Sequence, residues 1–144
     1  MQNLSKKGKD SSDDLIEEAE EAGYEVIAAD LRENGSCSVM LEDGECVIGL
    51  DAGRHTEPER RVMVAHEMGH CMTGSFYNIY AVDDVRGKHE RRADEWAVRR
   101  LIPRRAFLRA VRRGAREAWQ IAEEFGVTVR FAEKAALVWN RRLA

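Results

Sequence analysis

Two histidines and a glutamate lie close together in VMVAHEMGHCM, the stretch from Val62 to Met72. His66 and His70 are four residues apart, and Glu67 directly follows the first of them. Residues four apart on an α-helix share one face, so both imidazole rings can bind one zinc ion. In such a motif the glutamate can take a proton from a water at the metal. The alternative is an ordinary helix with two surface or core histidines.

A catalytic zinc ion needs a third protein ligand and an open fourth position. Nineteen residues separate His70 from Glu90, which begins the segment ERRAD and can complete a His2Glu site. Asp94 lies one helical turn later and can accept the N–H of a ligand histidine's other ring nitrogen. Each acidic residue alone could belong to an exposed, charged helix face. Taken together with HExxH, the two segments predict a metal site.

The segments HEMGH and KHERRADEWAVRRLIP resemble the ImmA/IrrE family of small bacterial and phage metallopeptidases, with the spacing of the gluzincins. That family pairs HExxH with a later stretch of the type E-x-x-A-N/D-x-F/W-A-x-x-L-hydrophobic-P. The matching positions here are Glu90, Ala93, Asp94, Trp96, Ala97, Leu101, Ile102 and Pro103. Asp94 and Trp96 replace the more usual Asn and Phe. The resemblance is sharp over Ala65–Pro103 and loose elsewhere.

The resemblance implies a zinc-dependent endopeptidase whose substrate is a protein, often a helix-turn-helix repressor encoded beside it on a prophage, another mobile element or a stress-response locus. Glu67 would take a proton from a zinc-activated water and pass it to the leaving amine. A further donor should stabilise the oxyanion, and Tyr77, Tyr80 and His89 are candidates by their position in the sequence. The alternatives are half-buried aromatic roles for the tyrosines and a surface role for His89.

The elements that position these residues are predicted from local patterns. Residues 1–12 are predicted to be a flexible arm, and 13–144 a single zincin-like domain. DDLIEEAEEAG predicts a helix and YEVIAAD a strand. Asp43-Gly44 is a two-residue hairpin turn signal in SCSVMLEDGECVIGLD. That register would place six apolar side chains on one buried face: Cys37, Val39, Leu41, Cys46, Ile48 and Leu50.

The helix that carries the histidines is predicted to begin after Thr56, with Glu59 at the capping-box position, and to end at Gly74. A loop over 75–87, a second helix over 88–101 and three further helices over 103–114, 115–125 and 129–140 follow. Small residues on the facing sides of the two metal-bearing helices would let them approach closely: Ala65, Gly69, Ala93 and Ala97. We therefore predict an α+β fold with a small antiparallel sheet and a helical C-terminal tail.

The tail QIAEEFGVTVRFAEKAALVW has a helix-turn-helix rhythm, and Arg99–Arg113 contains seven arginines. A DNA-binding or protein-binding transcriptional regulator with a structural zinc site is therefore the alternative function. The second helix, with Val129, Arg130, Glu133 and Lys134, offers no cluster of side chains suited to base edges. A helical hairpin packed on the zinc lobe is favoured over DNA binding, with a substrate-docking surface as a further alternative.

The composition of the chain limits the number of domains and the cellular compartment that we expect. The 144 residues suffice for one domain, and no apolar run is long enough for a transmembrane helix or a secretory signal. Three cysteines without a CxxC pair predict free thiols in the cytoplasm, with Cys37, Cys46 and Cys71 as small buried residues. Residues 1–60 carry a net charge of −10 and residues 61–144 one of +7. The two halves could attract each other, or the basic half could meet an acidic partner.

Overall fold

A computed structural model of the chain describes residues 10–31, 35–51, 53–76 and 83–143. Its elements, in chain order, are α1 Ser12–Glu21, β1 Glu25–Ala29, β2 Ser36–Met40, β3 Cys46–Asp51, α2 Glu57–Thr73, α3 Asp83–Leu101, α4 Arg104–Arg112, α5 Ala118–Phe125 and α6 Val129–Leu143. The predicted α+β class with a helical C-terminal tail is confirmed. None of the helices in these ranges is long and apolar enough to cross a membrane.

The sheet is mixed, and this corrects the expectation that it is wholly antiparallel. Its order is β1-β3-β2. β2 runs antiparallel to β3, as the hairpin predicts, but β1 pairs with β3 in parallel. The central position goes to β3, the most apolar strand, because a strand with neighbours on both sides is the most buried. Among the described strands, β2 therefore forms one edge of the sheet.

The hairpin register differs by one residue from the predicted one. Ser38 pairs with Ile48, because the loop has three residues and Gly44 adopts φ 90°. Leu41 accepts from the Gly44 amide and donates to the Glu45 carbonyl, which closes a three-residue turn rather than a two-residue one. A one-residue shift turns every β2 side chain to the other face. Ser36 and Ser38 consequently share the inner face with buried Ile48, while Cys37, Val39 and Leu41 are exposed.

The cysteines also depart from expectation. Cys37 is exposed rather than buried, which follows from the shifted register. Cys46 on β3 and Cys71 on α2 are buried as predicted, but they form a disulfide with Cα atoms 6.0 Å apart. The prediction of free thiols is thus wrong for this pair. The bond ties the central strand to the helix that carries the two histidines.

The acidic front of the chain contacts its basic back. Arg100 on α3 donates to Glu18 on α1 at 2.6 Å and to Asp10 at 2.6 Å. Ser12 is buried and binds the Glu57 carboxylate, so residues 10–12 contact the folded chain although they were assigned to the flexible arm. Residues 1–9 of that arm lie outside the described residues. These contacts support the interpretation in which the two charged halves attract each other within one molecule.

Helix α2 begins and ends where its sequence predicts. Thr56 and Glu59 form a reciprocal capping box, and Gly74 ends the helix in the left-handed conformation. Helix α3 instead begins at Asp83, five residues before the predicted start. Asp83 and Asp84 are favoured in a first turn, where they face the positive end of the helix dipole. Residues 77–82 of the predicted loop are outside the described ranges.

The facing sides of α2 and α3 are in very close contact. A Cβ atom placed on Gly69 would lie 2.5 Å from the backbone oxygen of Ala93 and 2.9 Å from its Cα. Ala65, Ala93 and Ala97 have no exposed surface. The predicted role of these small residues is confirmed, and the close approach brings the second half of α2 beside the middle of α3.

The C-terminal tail packs against α3 and also contacts α2 through Arg61. The Trp139 indole N–H donates to the Ile102 carbonyl at 2.8 Å, just after the end of α3. Thr128 caps α6 by accepting from the Phe131 amide, as its position predicts. The arrangement agrees with a helical hairpin folded onto the lobe that carries the histidines.

Replacing Gly69 by alanine is expected to force α2 and α3 apart, because the added methyl meets backbone atoms that cannot rotate away. We expect the free energy of unfolding, measured by urea denaturation, to fall by about 1–3 kcal/mol. Gly87→Ala is the matched control, since the nearest atom there is the mobile Arg91 guanidinium at 3.3 Å. That variant should gain about 0.5–1 kcal/mol from helix propensity. Equal stability of the two variants would contradict the packing constraint.

Candidate metal centre

Three side chains from α2 and α3 converge on one point. The His66 Nε2 atom lies 3.0 Å from Glu90 Oε1, and the His70 Nε2 atom lies 3.1 Å from Glu90 Oε2. One donor atom from each of the three residues lies within 4.8 Å of the others. These are the three residues that the sequence predicts as metal ligands, and the structure brings them together.

The second nitrogen of each ring has its own acceptor. His66 Nδ1 lies 2.8 Å from Asp94 Oδ1, and His70 Nδ1 is bonded to the backbone carbonyl of Ser75. Since a carbonyl oxygen only accepts, His70 Nδ1 must carry the hydrogen, and the carboxylate of Asp94 favours the same tautomer for His66. Both Nε2 atoms are thereby directed to the common point beside Glu90.

The electrostatics of the cluster follow from these contacts. Burial opposes the charged form of His66, but hydrogen bonds to Asp94 and Glu90 and the charge of Glu67 outweigh it and raise its pKa to about 10. Burial likewise opposes protonation of His70, yet Glu90 and the Ser75 carbonyl raise its pKa. Hydrogen bonds from the two histidines hold the pKa of Glu90 well below its usual range. In this cluster the surroundings thus favour the ionised form of the carboxylates and the protonated form of the imidazole rings when no cation is bound.

A zinc ion fits this donor set. Zinc bonds of about 2.0–2.2 Å place tetrahedral donors about 3.4 Å apart, close to the observed spacing between Glu90 and each ring nitrogen. Two imidazoles and one carboxylate are also ligand types that zinc accepts. A cation at this point would replace the contacts that Glu90 makes with His66 and His70.

The carboxylate of Glu67 lies in the same cleft and is held by two hydroxyls from β2. Ser36 Oγ donates to Glu67 Oε2 at 2.8 Å, and Ser38 Oγ donates to Oε1 at 2.6 Å. Glu67 is only 6% exposed, so these two bonds are what satisfies a nearly buried charge. Neither serine was expected to contact the site.

Asp94 connects the site to the C-terminal tail. Its Oδ2 atom accepts from the Lys134 ammonium on α6 at 3.1 Å, while its Oδ1 atom contacts His66. Burial raises the pKa of Asp94, but the bonds to His66 and Lys134 outweigh it and lower the pKa. The Asp94 carboxylate therefore orients the ring of His66, and the Lys134 ammonium from another helix holds that carboxylate in place.

A cleft of about 490 Å³ opens over these side chains. Its described lining is Ser36, Cys37, Ser38, His66, Glu67, His70, Ser75, Phe76, Arg86 and Glu90. Arg86 lies one helical turn before Glu90 on the same face of α3 and lines the cleft. It was not a predicted site residue.

The three predicted oxyanion donors are not gathered in the cleft by the described part of the chain. Tyr77 and Tyr80 lie outside the described residues. His89 is half-buried on α3, but it directly precedes Glu90 and therefore projects about 100° away around the helix axis. It is not part of the described lining.

Four site contacts escaped prediction from the sequence: those of Ser36, Ser38, Ser75 and Lys134. Ser36 and Ser38 were missed because the predicted hairpin register places them on the opposite face of β2. Ser75 acts through its backbone carbonyl, which has no signature in a side-chain pattern. Lys134 is 40 residues from its partner Asp94. A basic residue on a tail helix gives no sign of which carboxylate it will reach.

Comparison with known families agrees with this geometry. No curated protein matches the chain. Residues 19–137 match the M78 peptidases, described as the IrrE N-terminal-like domain. The matched segment contains both metal-bearing helices and Lys134, and it covers most of the chain. The expected relation to ImmA/IrrE proteins is thereby confirmed, and the chain belongs to the IrrE N-terminal-like family of M78 peptidases.

Proposed function

We propose that this protein is a zinc-dependent endopeptidase whose substrate is another protein. The observation that carries the proposal is the position of the Glu67 carboxylate in the same cleft as His66, His70 and Glu90. Structural zinc sites use four protein ligands, whereas the described residues offer three and leave one position open. A carboxylate beside an open position is what peptide hydrolysis requires and what mere metal storage does not.

The roles follow from the geometry. His66 and His70, through Nε2, and Glu90 would hold the metal, and Asp94 and Ser75 would keep the two rings oriented. When bound, a zinc ion would polarise the scissile carbonyl and make a water in the open position more acidic. Glu67 would take a proton from the attacking water and deliver it to the amine nitrogen as the C–N bond breaks.

Arg86 is the described side chain best placed to donate to the substrate. Arg86 lines the cleft one helical turn from Glu90, and an arginine can donate N–H hydrogen bonds to a carbonyl oxygen that gains negative charge. We add it to Tyr77 and Tyr80 as a candidate transition-state donor, ahead of His89, which lies outside the described lining of the cleft.

The edge of the sheet offers a place for an extended peptide. Gly35 accepts from Asp51 of β3, and Leu41 donates to Glu45, the residue before β3. Alternation along an antiparallel pair therefore makes the backbone groups of the odd-numbered residues of β2 face β3. The backbone amides and carbonyls of Ser36, Ser38 and Met40 therefore face the open edge. A substrate strand that pairs with them would pass beside Glu67 and the metal ligands.

Backbone pairing at this edge can be tested with N-methylated substrate peptides. A methyl on an amide that faces β2 removes one hydrogen bond and should raise KM about five- to tenfold. A methyl on the next amide, which points away from β2, serves as the matched control and should change KM much less. Equal effects at adjacent positions would exclude this mode of binding. Steady-state kinetics on the two series provides the measurement.

For the substrate we propose a helix-turn-helix repressor encoded beside this protein on a mobile element or stress-response locus. The support is membership of a family that the sequence relates to ImmA/IrrE proteins, several of which act on such repressors. We also place the reaction in the cytoplasm, where such a repressor acts. Co-incubation of the zinc-loaded protein with the neighbouring regulator, followed by mass spectrometry, would reveal the cleaved bond.

Replacing Glu67 by glutamine should separate metal binding from catalysis. Since glutamine cannot accept the proton, we expect kcat to fall by about 10²–10⁴-fold while zinc content by elemental analysis stays equal to that of wild type. Glu20→Gln, on the exposed side of α1, is the control and should retain full activity. Chelation should abolish the wild-type activity and added zinc should restore it. A wild-type protein that takes up no zinc after reconstitution would refute the proposal.

Metal affinity should depend on pH through His66. Its pKa of about 10 means that the metal-free site is protonated at neutral pH, so a metal must displace that proton. Affinity should therefore rise with pH up to about 10, by about tenfold per unit for each proton displaced. Calorimetry in buffers of different ionisation enthalpy counts the released protons. Asp94→Asn removes the strongest hydrogen-bond cause of the raised pKa and should release fewer protons at pH 8, and unchanged release would contradict the assignment.

The alternative of a DNA-binding regulator is weakened by one contact. Lys134 lies on α6, which would be the recognition helix of a DNA-binding protein. Its ammonium donates to Asp94, so its side chain is directed toward α3. Retention of the protein on duplex DNA at physiological salt would favour this alternative over the peptidase.

A further inference from the structure

Ser36 and Ser38 on β2 each use both the side chain and the backbone near the cleft. Their hydroxyls bind the two oxygens of Glu67, one each. Their backbone amides and carbonyls face the open edge of the sheet, as the alternation of bonds between β2 and β3 requires. The same two residues thus border both the reacting carboxylate and the place for a substrate strand.

We infer that Ser36 and Ser38 are positioning residues, which hold the Glu67 carboxylate in the orientation for proton transfer and link that orientation to the pairing of substrate with β2. This inference rests on the proposed peptidase function. It concerns residues that neither the HExxH motif nor the second metal-bearing segment contains.

The first step of the argument concerns Glu67 itself. A glutamate side chain on a helix has three rotatable bonds, and packing alone does not determine the plane of its terminal carboxylate. Two hydroxyl donors, one on each oxygen at 2.8 and 2.6 Å, do determine it. Each carboxylate oxygen can accept two hydrogen bonds, so both oxygens can still accept a proton from water.

The second step concerns β2. It is an edge strand among the described strands, so only its pairing with β3 holds it from the side. A peptide that bonds to the amides and carbonyls of Ser36 and Ser38 that face away from β3 would turn this edge into an interior strand. The hydroxyls on those residues would then be held more firmly against Glu67. Substrate binding would in this way hold the Glu67 carboxylate in its orientation while the substrate is present.

The experiment compares Ser36→Ala, Ser38→Ala and the double variant with wild type. We expect kcat to fall about tenfold for each single change and about 100-fold for both, with KM within about twofold. Zinc content should stay the same, because neither serine contacts His66, His70 or Glu90 in the described structure. Ser38→Thr keeps the hydroxyl and should restore most of kcat. Val39→Ala, on the exposed outer face of the same strand, is the matched control.

A second measurement does not depend on activity. In metal-free protein labelled with ¹³C at glutamate, the side chain of Glu67 should give one well-ordered signal by NMR relaxation. In the double variant it should become mobile, and in Ser38→Thr it should stay ordered. Mobility in the double variant together with an inactive wild type would refute the peptidase while sustaining the positioning role. If the wild type is active, and the double variant has a kcat within twofold of wild type and an ordered Glu67, the positioning role alone is refuted.

Discussion

The site depends on the contact between two helix backbones. Gly69 on α2 lies against the peptide group of Ala93 on α3 so closely that no side chain fits between them. His70 is adjacent to Gly69, and Glu90 is one turn before Ala93, so this contact sets the distance between ligands from the two helices. A wider separation would leave His66 and His70 able to bind a metal but would withdraw the carboxylate that completes the set. The grouping of these three side chains is in this sense a consequence of helix packing.

Once the helices meet, each polar group in the site is oriented by a different element. The end of α2 returns through Ser75 to bind one ring, α3 supplies Asp94 for the other, and α6 supplies Lys134 for Asp94. Strand β2 binds Glu67 from the opposite side. Since each of these groups is useful only in one orientation, the site depends on contacts from α3, α6, β2 and the residues that follow α2.

What could be predicted from the sequence is what local spacing determines. The Thr56 capping box and the Gly74 stop act within one helical turn, and both are found as predicted. The HExxH pattern and the step to Glu90 belong to a family motif, and the structure brings His66, His70 and Glu90 together. The parallel pairing of β1, the Cys46–Cys71 bond and the Lys134–Asp94 contact depend on which distant surfaces meet. Asp43-Gly44 is a turn signal in either case, because glycine suits both a two-residue turn and the left-handed third position of a longer one.

The hairpin register shows how the site and the fold constrain each other. In the predicted register, Cys37, Val39 and Leu41 would face α2, and the Glu67 carboxylate would be buried against sulfur and methyl groups. Burying a carboxylate without donors costs several kcal/mol, and this cost opposes the gain from covering these apolar side chains. In the observed register two hydroxyls satisfy both carboxylate oxygens, and Val39 is left half-exposed instead. The buried charge on α2 thus favours the register of a strand in another layer, and hydrophobic alternation alone predicts the wrong face because it takes no account of that charge.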